Sequence, residues 1–225
     1  MKKLLALLVA IVVLLGVLGV LLDFFAKQYT EEAIGDAITH RSKNIGYASA
    51  SIDSFPFTWK LAKDGRVDHL TLKLQQLHDV DVPLPIDELD IAIDGLEMDK
   101  SSLFGESHVE IEHVDRVTVT ALLSVVSVRD AAGKLGIDIG FADNVLTVNG
   151  NAISVAMDGS DLVLSGTGLP TVRLPVPSGD ASVLPCAPSP TIRADGIALS
   201  CQADHLPKIL VDAIGNLDLK QQLGG

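Results

Sequence analysis

The chain has few cysteines, few aromatic residues and a shortage of basic charge. Its 225 residues include two Cys, six Phe, two Tyr and one Trp. Two cysteines are too few for a disulfide-rich mini-protein or for a closed zinc site. The 17 basic and 29 acidic residues give a formal net charge of −12. This charge disfavours binding to nucleic acid, and charge alone would not draw the chain onto an anionic bilayer.

The sequence also has no motif of a known catalytic site. It contains no G-x-S-x-G, no phosphate-binding loop and no H-E-x-x-H, and its six histidines are scattered. A hydrolase or transferase therefore has the least support, and it would need a concave site that joins His69 or His113 to a carboxylate and a serine. We predict no catalytic residue, no metal site and no cofactor.

An apolar run of 19 residues lies close to the N-terminus, over 4–22. As a helix it would be roughly 28 Å long, close to the thickness of the hydrocarbon core of a bilayer. No cleavage site of the A-x-A type follows, so we predict an uncleaved signal anchor over 1–23, with a cleaved signal as the alternative. Lys2 and Lys3 indicate that the N-terminus stays inside, which makes 24–225 an extracytoplasmic domain of a single-pass protein of the cytoplasmic membrane.

The two cysteines are separated by 14 residues. Because an exported chain matures in an oxidising compartment, we predict a disulfide between Cys186 and Cys201. Closing that loop would stabilise the fold by roughly 3 kcal/mol in the chain-entropy model. Asp195-Gly196 is typical of a two-residue hairpin turn, which would place Pro190 opposite Cys201. Two unpaired buried thiols are the alternative.

Apolar residues with a helical period follow the apolar run and predict an amphipathic helix over 24–43. A second helix is predicted over 127–136, where Ser127 and Asp130 have the spacing of a capping box. A third is predicted over 206–217. The apolar side chains that repeat in the first helix are Phe25, Tyr29, Ala33, Ile34, Ala37 and Ile38.

Between these helices the apolar period is two, as in Leu89, Ile91 and Ile93. Turn signals such as Asp143-Asn144 and Asp158-Gly159 separate short alternating segments. Short strands with frequent turns favour an antiparallel sheet over parallel β-α-β units. Together with the helices, they predict an α+β protein.

The segment 52–61 holds three of the nine aromatic residues. In an extended chain Phe55, Phe57 and Trp59 would share one face, although Pro56 would confine such a strand to an edge. This face is either an apolar lip for a hydrophobic ligand or a core plug where a strand turns into a short helix.

The order of several motifs is similar to that of a known family. Phe55-Pro56-Phe57 is followed by a short apolar stretch, by Gly65-Arg66-Val67-Asp68 and by the alternating segments 89–96 and 117–121. With the N-terminal apolar segment and the late cysteine pair, this order resembles the LmeA-like phospholipid-binding family of actinobacterial envelopes. The resemblance covers roughly residues 27–215.

The resemblance implies an extracytoplasmic protein that binds or carries a phospholipid, or a related envelope lipid, during lipoglycan assembly. It also implies, by analogy, a curved antiparallel β-sheet wrapped on amphipathic helices, similar to the tubular lipid-binding domains. A membrane glycosyltransferase of the envelope is a further expected partner. A non-catalytic adaptor or scaffold that docks this enzyme is the alternative function.

Candidate lipid-binding residues are apolar side chains of the aromatic segment, the sheet and the predicted helices. They are Phe55, Phe57, Trp59, Leu61, Leu72, Ile91, Ile93, Phe104, Ile209 and Ile214. Three basic residues near the aromatic segment, Lys60, Lys63 and Arg66, are candidates for holding the lipid headgroup.

A cavity would distinguish a carrier from an adaptor. Removing about 30 methylenes from a bilayer costs on the order of 24 kcal/mol, so a full carrier must enclose both acyl chains in apolar surroundings. A protein that lifts only part of a lipid out of the membrane needs only a groove. An adaptor needs a filled core and an exposed apolar patch.

Overall fold

The computed structural model describes residues 2–41, 45–77, 86–105, 109–134, 136–142, 144–168, 171–176, 184–207 and 210–211. Four helices and eleven strands lie within these residues. The helices are α1 (Lys2–Arg41), α2 (Phe57–Asp64), α3 (Lys100–Gly105) and α4 (Val125–Lys134). The strands are β1 (Ile45–Ile52), β2 (Arg66–Leu77), β3 (Ile86–Met98), β4 (Ile111–Ser124), β5 (Ile139–Ala142), β6 (Val145–Val148), β7 (Asn151–Asp158), β8 (Asp161–Ser165), β9 (Val172–Pro175), β10 (Ser189–Arg193) and β11 (Gly196–Ala203).

The larger sheet is curled and antiparallel, with the strand order β1-β2-β3-β4-β11-β10. Its register places Leu72, Ile91, Val119 and Cys201 in one row across four strands. All four side chains are buried, because alternate residues of each strand face the core. The structure therefore confirms the prediction of an α+β protein with a curved antiparallel sheet and helices.

The smaller sheet is an antiparallel meander of five strands in sequence order, β5 to β9. Two-residue connections join β5 to β6 and β7 to β8, at the turns predicted near Asp143-Asn144 and Asp158-Gly159. The buried face of this sheet includes Leu146, Leu162 and Leu164 and belongs to the same hydrophobic core as the larger sheet.

Helix α1 packs along the edge strand β1 through its C-terminal half. Ala33, Ile34 and Ile38 are buried there, whereas Phe25 and Tyr29 of the predicted stripe are exposed. The helix ends at Arg41, close to the expected limit of 43. No helix in the described part of the chain is long and apolar enough to cross a membrane. The signal anchor over 1–23 stays a prediction, and the side chains of α1 are described from residue 14 onward.

Helix α4 begins at Val125, two residues before the predicted start. The expected cap, Ser127, lies inside the helix. Its backbone N–H instead donates to the hydroxyl of Ser124, 3.2 Å away, and Asp87 from β3 accepts a hydrogen bond from the Ser124 N–H at 2.8 Å. Helix α4 therefore begins earlier than predicted, because Ser124, held by Asp87, caps it in place of Ser127. Of the third predicted helix, 210–211 are described as helical, while Ile209 and Ile214 lie outside the described residues.

The structure confirms the disulfide between Cys186 and Cys201, whose Cα atoms are 5.8 Å apart. The predicted register of the hairpin was wrong, since Pro190 pairs with Leu199 and Arg193 pairs with Gly196. Gly196 therefore belongs to β11 and pairs with Ser124 of β4, which it approaches closely. A Cβ atom on Gly196 would lie 2.0 Å from the carbonyl oxygen of Leu123.

Candidate functional site

An apolar cavity of about 230 Å³ lies between helix α4 and the five-stranded sheet. We call it the α4 cavity. Its lining residues are Val128, Ala132, Gly136, Ile137, Ile139, Val148, Asn149, Ile153, Leu164, Gly166, Val172 and Leu174. Apart from Asn149, every side chain in this lining is apolar, so the cavity suits a hydrocarbon group and offers little to a charged one.

Local sequence explains why the cavity has this shape. Val128 and Ala132 are four residues apart on α4, so both face the sheet, and the small side chain of Ala132 leaves space above it. Arg129 fixes the distance between helix and sheet by donating from Nε to the carbonyl oxygen of Ile139 at 3.0 Å. The backbone N–H of Ile137 donates to the carbonyl of Ala132, which holds Ile137 beside the end of α4.

The volume decides what the α4 cavity can hold. Pockets for drug-sized ligands have volumes of about 300–1,000 Å³, so 230 Å³ is less than a whole diacyl lipid needs. A segment of one acyl chain fits this size and chemistry. Each methylene transferred from water into such surroundings gains about 0.8 kcal/mol.

A second, more open depression of about 350 Å³ lies at the start of β4. We call it the β4 groove. Its apolar lining residues, which we call its floor, are Val109, Ile111, Val114, Leu206 and Val211. Its polar lining residues are Glu110, Glu112, His113, Asp204 and His205. The apolar floor and polar lining could receive a group that is apolar at one end and polar at the other.

The aromatic segment divides into a buried residue and two exposed ones. Phe57 is 2% exposed and plugs the core, whereas Phe55 and Trp59 are each 64% exposed. The interpretation as a core plug therefore applies to Phe57, while a ligand-binding lip formed by Phe55 and Trp59 stays a prediction. Segment 57–64 is helical, so the three rings do not share one face as they would in a strand. Leu61 is partly buried and packs against the core.

The other apolar candidates lie apart from both depressions. Leu72, Ile91 and Ile93 are buried in the larger sheet, and none of them lines the α4 cavity or the β4 groove. The side chain of Phe104 lies outside the described residues, as do Ile209 and Ile214. Their roles in lipid binding stay predictions.

Two of the three headgroup candidates are already paired with acidic side chains. Lys60 Nζ donates to Asp68, and the guanidinium of Arg66 donates to Glu97 at 2.5 Å and to Asp115 at 2.7 Å. The hydrogen bond from Lys60 holds the pKa of Asp68 below its ordinary value against the effect of burial. The hydrogen bonds to Glu97 and then Asp115 raise the pKa of Arg66.

Lys63 differs from these two residues. Its side chain is exposed on α2 and forms no ion pair with the described residues. Of the three candidates, it is the one whose charge is free to meet an anionic headgroup. The role of all three in headgroup binding stays a prediction.

Three polar side chains of the larger sheet are connected in the order of a hydrolytic triad, from Asp94 through His69 to Thr71. Nδ1 of His69 lies 2.6 Å from Asp94 Oδ1, and its Nε2 lies 3.1 Å from Thr71 Oγ1. His69 and Asp94 are direct cross-strand neighbours on the outer face of the larger sheet, and their side chains are 40% and 44% exposed. None of the three residues lines the α4 cavity or the β4 groove.

No group of three or more His, Cys, Asp or Glu side chains within the described ranges has an arrangement that could hold a metal ion. The chemistry of the described site is therefore that of apolar contact. The lining of the α4 cavity could not be predicted from the sequence because its residues come from α4, five short strands and their connections. The sequence signal that could have indicated this cavity is the pair Val128 and Ala132, which share one face of a helix and are followed by alternating apolar residues.

A curled antiparallel sheet, packed helices and an apolar cavity define an α+β protein with a site suited to a hydrophobic ligand. A family model described as LmeA-like phospholipid-binding matches residues 21–214. The match covers most of the chain, and the protein belongs to this family, as its motifs had indicated. Searches among curated proteins and among solved structures gave no significant match.

Proposed function

We propose that the protein is a non-catalytic, membrane-tethered phospholipid-binding protein of the extracytoplasmic side. It binds a phospholipid or a related envelope lipid and serves cell-envelope lipoglycan assembly. The observation that carries the proposal is an apolar cavity in a member of a phospholipid-binding family. The apolar run over 4–22 and the disulfide support export and tethering.

The mode of binding follows from the volume of the cavity. Enclosing a whole diacyl lipid would have to offset on the order of 24 kcal/mol for about 30 methylenes. A cavity of about 230 Å³ offsets part of this cost by holding a segment of one chain. The protein therefore lifts a lipid partly out of the bilayer, while the rest of the molecule keeps apolar contact elsewhere.

The test uses the full chain in vesicles that contain a phospholipid with a photoreactive group on one acyl chain. After irradiation, mass spectrometry locates the labelled peptides. We expect labels on α4 and on β7 to β9, which line the cavity. Ala132→Phe, which fills the cavity, should reduce this labelling about tenfold, equivalent to ~1.4 kcal/mol of lost affinity.

The matched control is Val126→Phe, which adds a ring on the exposed side of the same helix, where Val126 is 68% exposed. This variant should label like the unmodified chain. Equal labelling of the α4 cavity in Ala132→Phe and Val126→Phe would contradict the proposed site. Complete absence of labelled protein would contradict lipid binding and favour an adaptor that docks an envelope glycosyltransferase.

A further inference from the structure

Exposed aromatic side chains are concentrated where α1 meets α2. Phe24 and Phe25 of α1 are 60% and 64% exposed, and Phe55 and Trp59 are equally open on the segment beside them. We call these four residues the aromatic cluster. The Phe24 and Phe25 rings contact each other edge to face, with centroids 6.1 Å apart.

The buried carboxylate of Asp23 joins the two parts of this cluster. One of its oxygens accepts the backbone N–H of Phe57 at 3.0 Å. The other accepts the N–H and the hydroxyl of Thr58, both at 2.6 Å. Asp23 is 5% exposed, and it satisfies donors at the first turn of α2 that would otherwise have no partner. These hydrogen bonds therefore fix the start of helix α2 beside residue 23 of α1.

The direction of α1 shows that the aromatic cluster lies at the end of the domain from which the N-terminal part of α1 projects. Moving from Asp23 toward the C-terminus, Glu31 accepts the N–H of Ile52 at 2.5 Å, and Thr39 accepts the N–H of Ala48 at 3.1 Å. The helix runs antiparallel to β1, so the residues before Asp23 project past the end of the sheet. Residues 14–22 make up about 13 Å of this projecting part of the helix. The large apolar side chains exposed there are Leu14, Leu15, Val17, Leu18, Val20, Leu21 and Leu22.

We infer that this end of the domain sits on the surface of a lipid bilayer, with the aromatic cluster at the interface and Asp23 holding α2 in place. Residues 14–22 then lie in apolar surroundings, and the four rings lie at the depth where aromatic side chains concentrate in membrane proteins. The exposed ammonium group of Lys63, on the same short helix, is placed to meet lipid phosphates. The inference rests on the membrane tether of the proposed function and adds the orientation of the domain.

The orientation has a consequence for the β4 groove. The N–H of Met98, at the end of β3, donates to the carbonyl of Gly65 just after α2, and Met98 pairs with Ile111 at the start of β4. The groove therefore opens at the same end of the larger sheet as the aromatic cluster. On a bilayer, its apolar floor would face the lipids that the protein binds.

Trp59 is the single tryptophan of the chain, so its fluorescence reports on α2 alone. The full chain is reconstituted in phosphatidylcholine and phosphatidylglycerol vesicles whose acyl chains carry bromine either near the headgroup or near the terminal methyl. We expect the shallow bromine to quench Trp59 about twofold and the deep bromine to quench it less. Acrylamide in the water should quench Trp59 less than it does in unfolded protein.

The control moves the reporter to the other end of β1. In Trp59→Phe with Tyr47→Trp, the new ring replaces an exposed tyrosine about 17 Å from Ile52 along the strand, and bromine should not quench it. Equal quenching of both reporters would overturn the proposed orientation. Trp59 quenched by acrylamide but not by bromine would overturn the membrane contact. Trp59 protected from both would indicate a second copy of the chain on this face and would also overturn it.

Asp23→Asn tests the positioning residue, because it replaces one of the two acceptor oxygens by a donor. We expect weaker quenching of Trp59 by shallow bromine, with an unchanged far-UV circular dichroism spectrum. Unchanged quenching in this variant would refute the role of Asp23. Photolabelling of the α4 cavity is measured in parallel, so a failure of lipid binding and a failure of membrane contact can be told apart.

Discussion

Gly65 is the residue on which the end of α2 depends. It has φ of +68° and caps the helix by donating its N–H to the carbonyl of Leu61 at 3.0 Å. A Cβ atom there would lie 2.3 Å from the carbonyl oxygen of Met98. The positive φ and the close approach to β3 both require glycine.

We therefore expect Gly65→Ala to lower the free energy of unfolding by about 2 kcal/mol or more, since backbone strain and a clash with a carbonyl add together. The matched control is Gly159→Ala. Gly159 has φ of +63° with nothing within 4 Å of the added atom, so strain alone should cost it about 1 kcal/mol. Urea unfolding measures both. Equal losses would mean that the contact with Met98 relaxes freely.

At the scale of single residues, part of the structure could be predicted from the sequence. Gly65 was recognisable as part of the motif that follows the short apolar stretch, and the aromatic residues around Phe57 were recognisable as unusual. The pairing of Lys60 and Arg66 with Asp68, Glu97 and Asp115 was not predictable. These partners come from β2, β3 and β4 and become neighbours only through the register of the sheet.

At the scale of elements, α2 is fastened to the rest of the fold by carboxylates on both sides. Asp23 of α1 accepts hydrogen bonds from its first turn, and Asp68 of β2 accepts one from Lys60. Ser54 Oγ donates to the same Asp68 oxygen at 3.1 Å. The lowered pKa of Asp68, which is due first to Lys60, makes this attachment sensitive to pH.

The sign of the pH dependence follows from that lowered pKa. The contribution of Asp68 to stability is complete above the ordinary pKa of 3.8 and is lost as the pH falls through its lower folded value. Because the side chains of Lys60 and Asp68 are 32% and 39% exposed, solvent screening keeps the contribution below about 1 kcal/mol. We expect unmodified protein to exceed Asp68→Asn in stability at about pH 6, with the difference shrinking below about pH 4.

Urea unfolding of both proteins across this range measures the difference. Lys60→Met should remove most of the same pH-dependent difference, because Lys60 is the first cause of the shift. A difference between unmodified protein and Asp68→Asn that stays constant from about pH 6 to about pH 2 would contradict the attachment.

For the whole molecule, the decisive feature is that the α4 cavity lies against the smaller sheet rather than the larger one. It is built from α4 and the meander β5 to β9, whereas Leu72, Ile91 and Ile93 are buried in the larger sheet and do not line the cavity. A bound acyl chain should therefore order the smaller sheet and leave the larger one unaffected.

Hydrogen exchange of the full chain in vesicles, compared with detergent that supplies no phospholipid, tests this expectation. We expect backbone amides of α4 and of β6 to β8 to exchange about tenfold more slowly with phospholipid, and those of β2 and β3 to be unchanged. Ala132→Phe should show the slow exchange in both conditions, because the added ring occupies the cavity. Slowing confined to β2 and β3 would instead place the lipid against Leu72 and Ile91.

The sequence by itself predicted the class of fold, the alternating strands of the antiparallel sheet, the disulfide and the family. These follow from the period of apolar residues, the number and spacing of cysteines and the order of local motifs, all of which are short-range properties. Only the tertiary structure decided the hairpin register, the start of α4, the separation of Phe57 from Phe55 and Trp59, and the place of the cavity. Each of these depends on contacts between distant segments, such as Asp87 with Ser124 and Asp23 with Thr58, which no local pattern encodes.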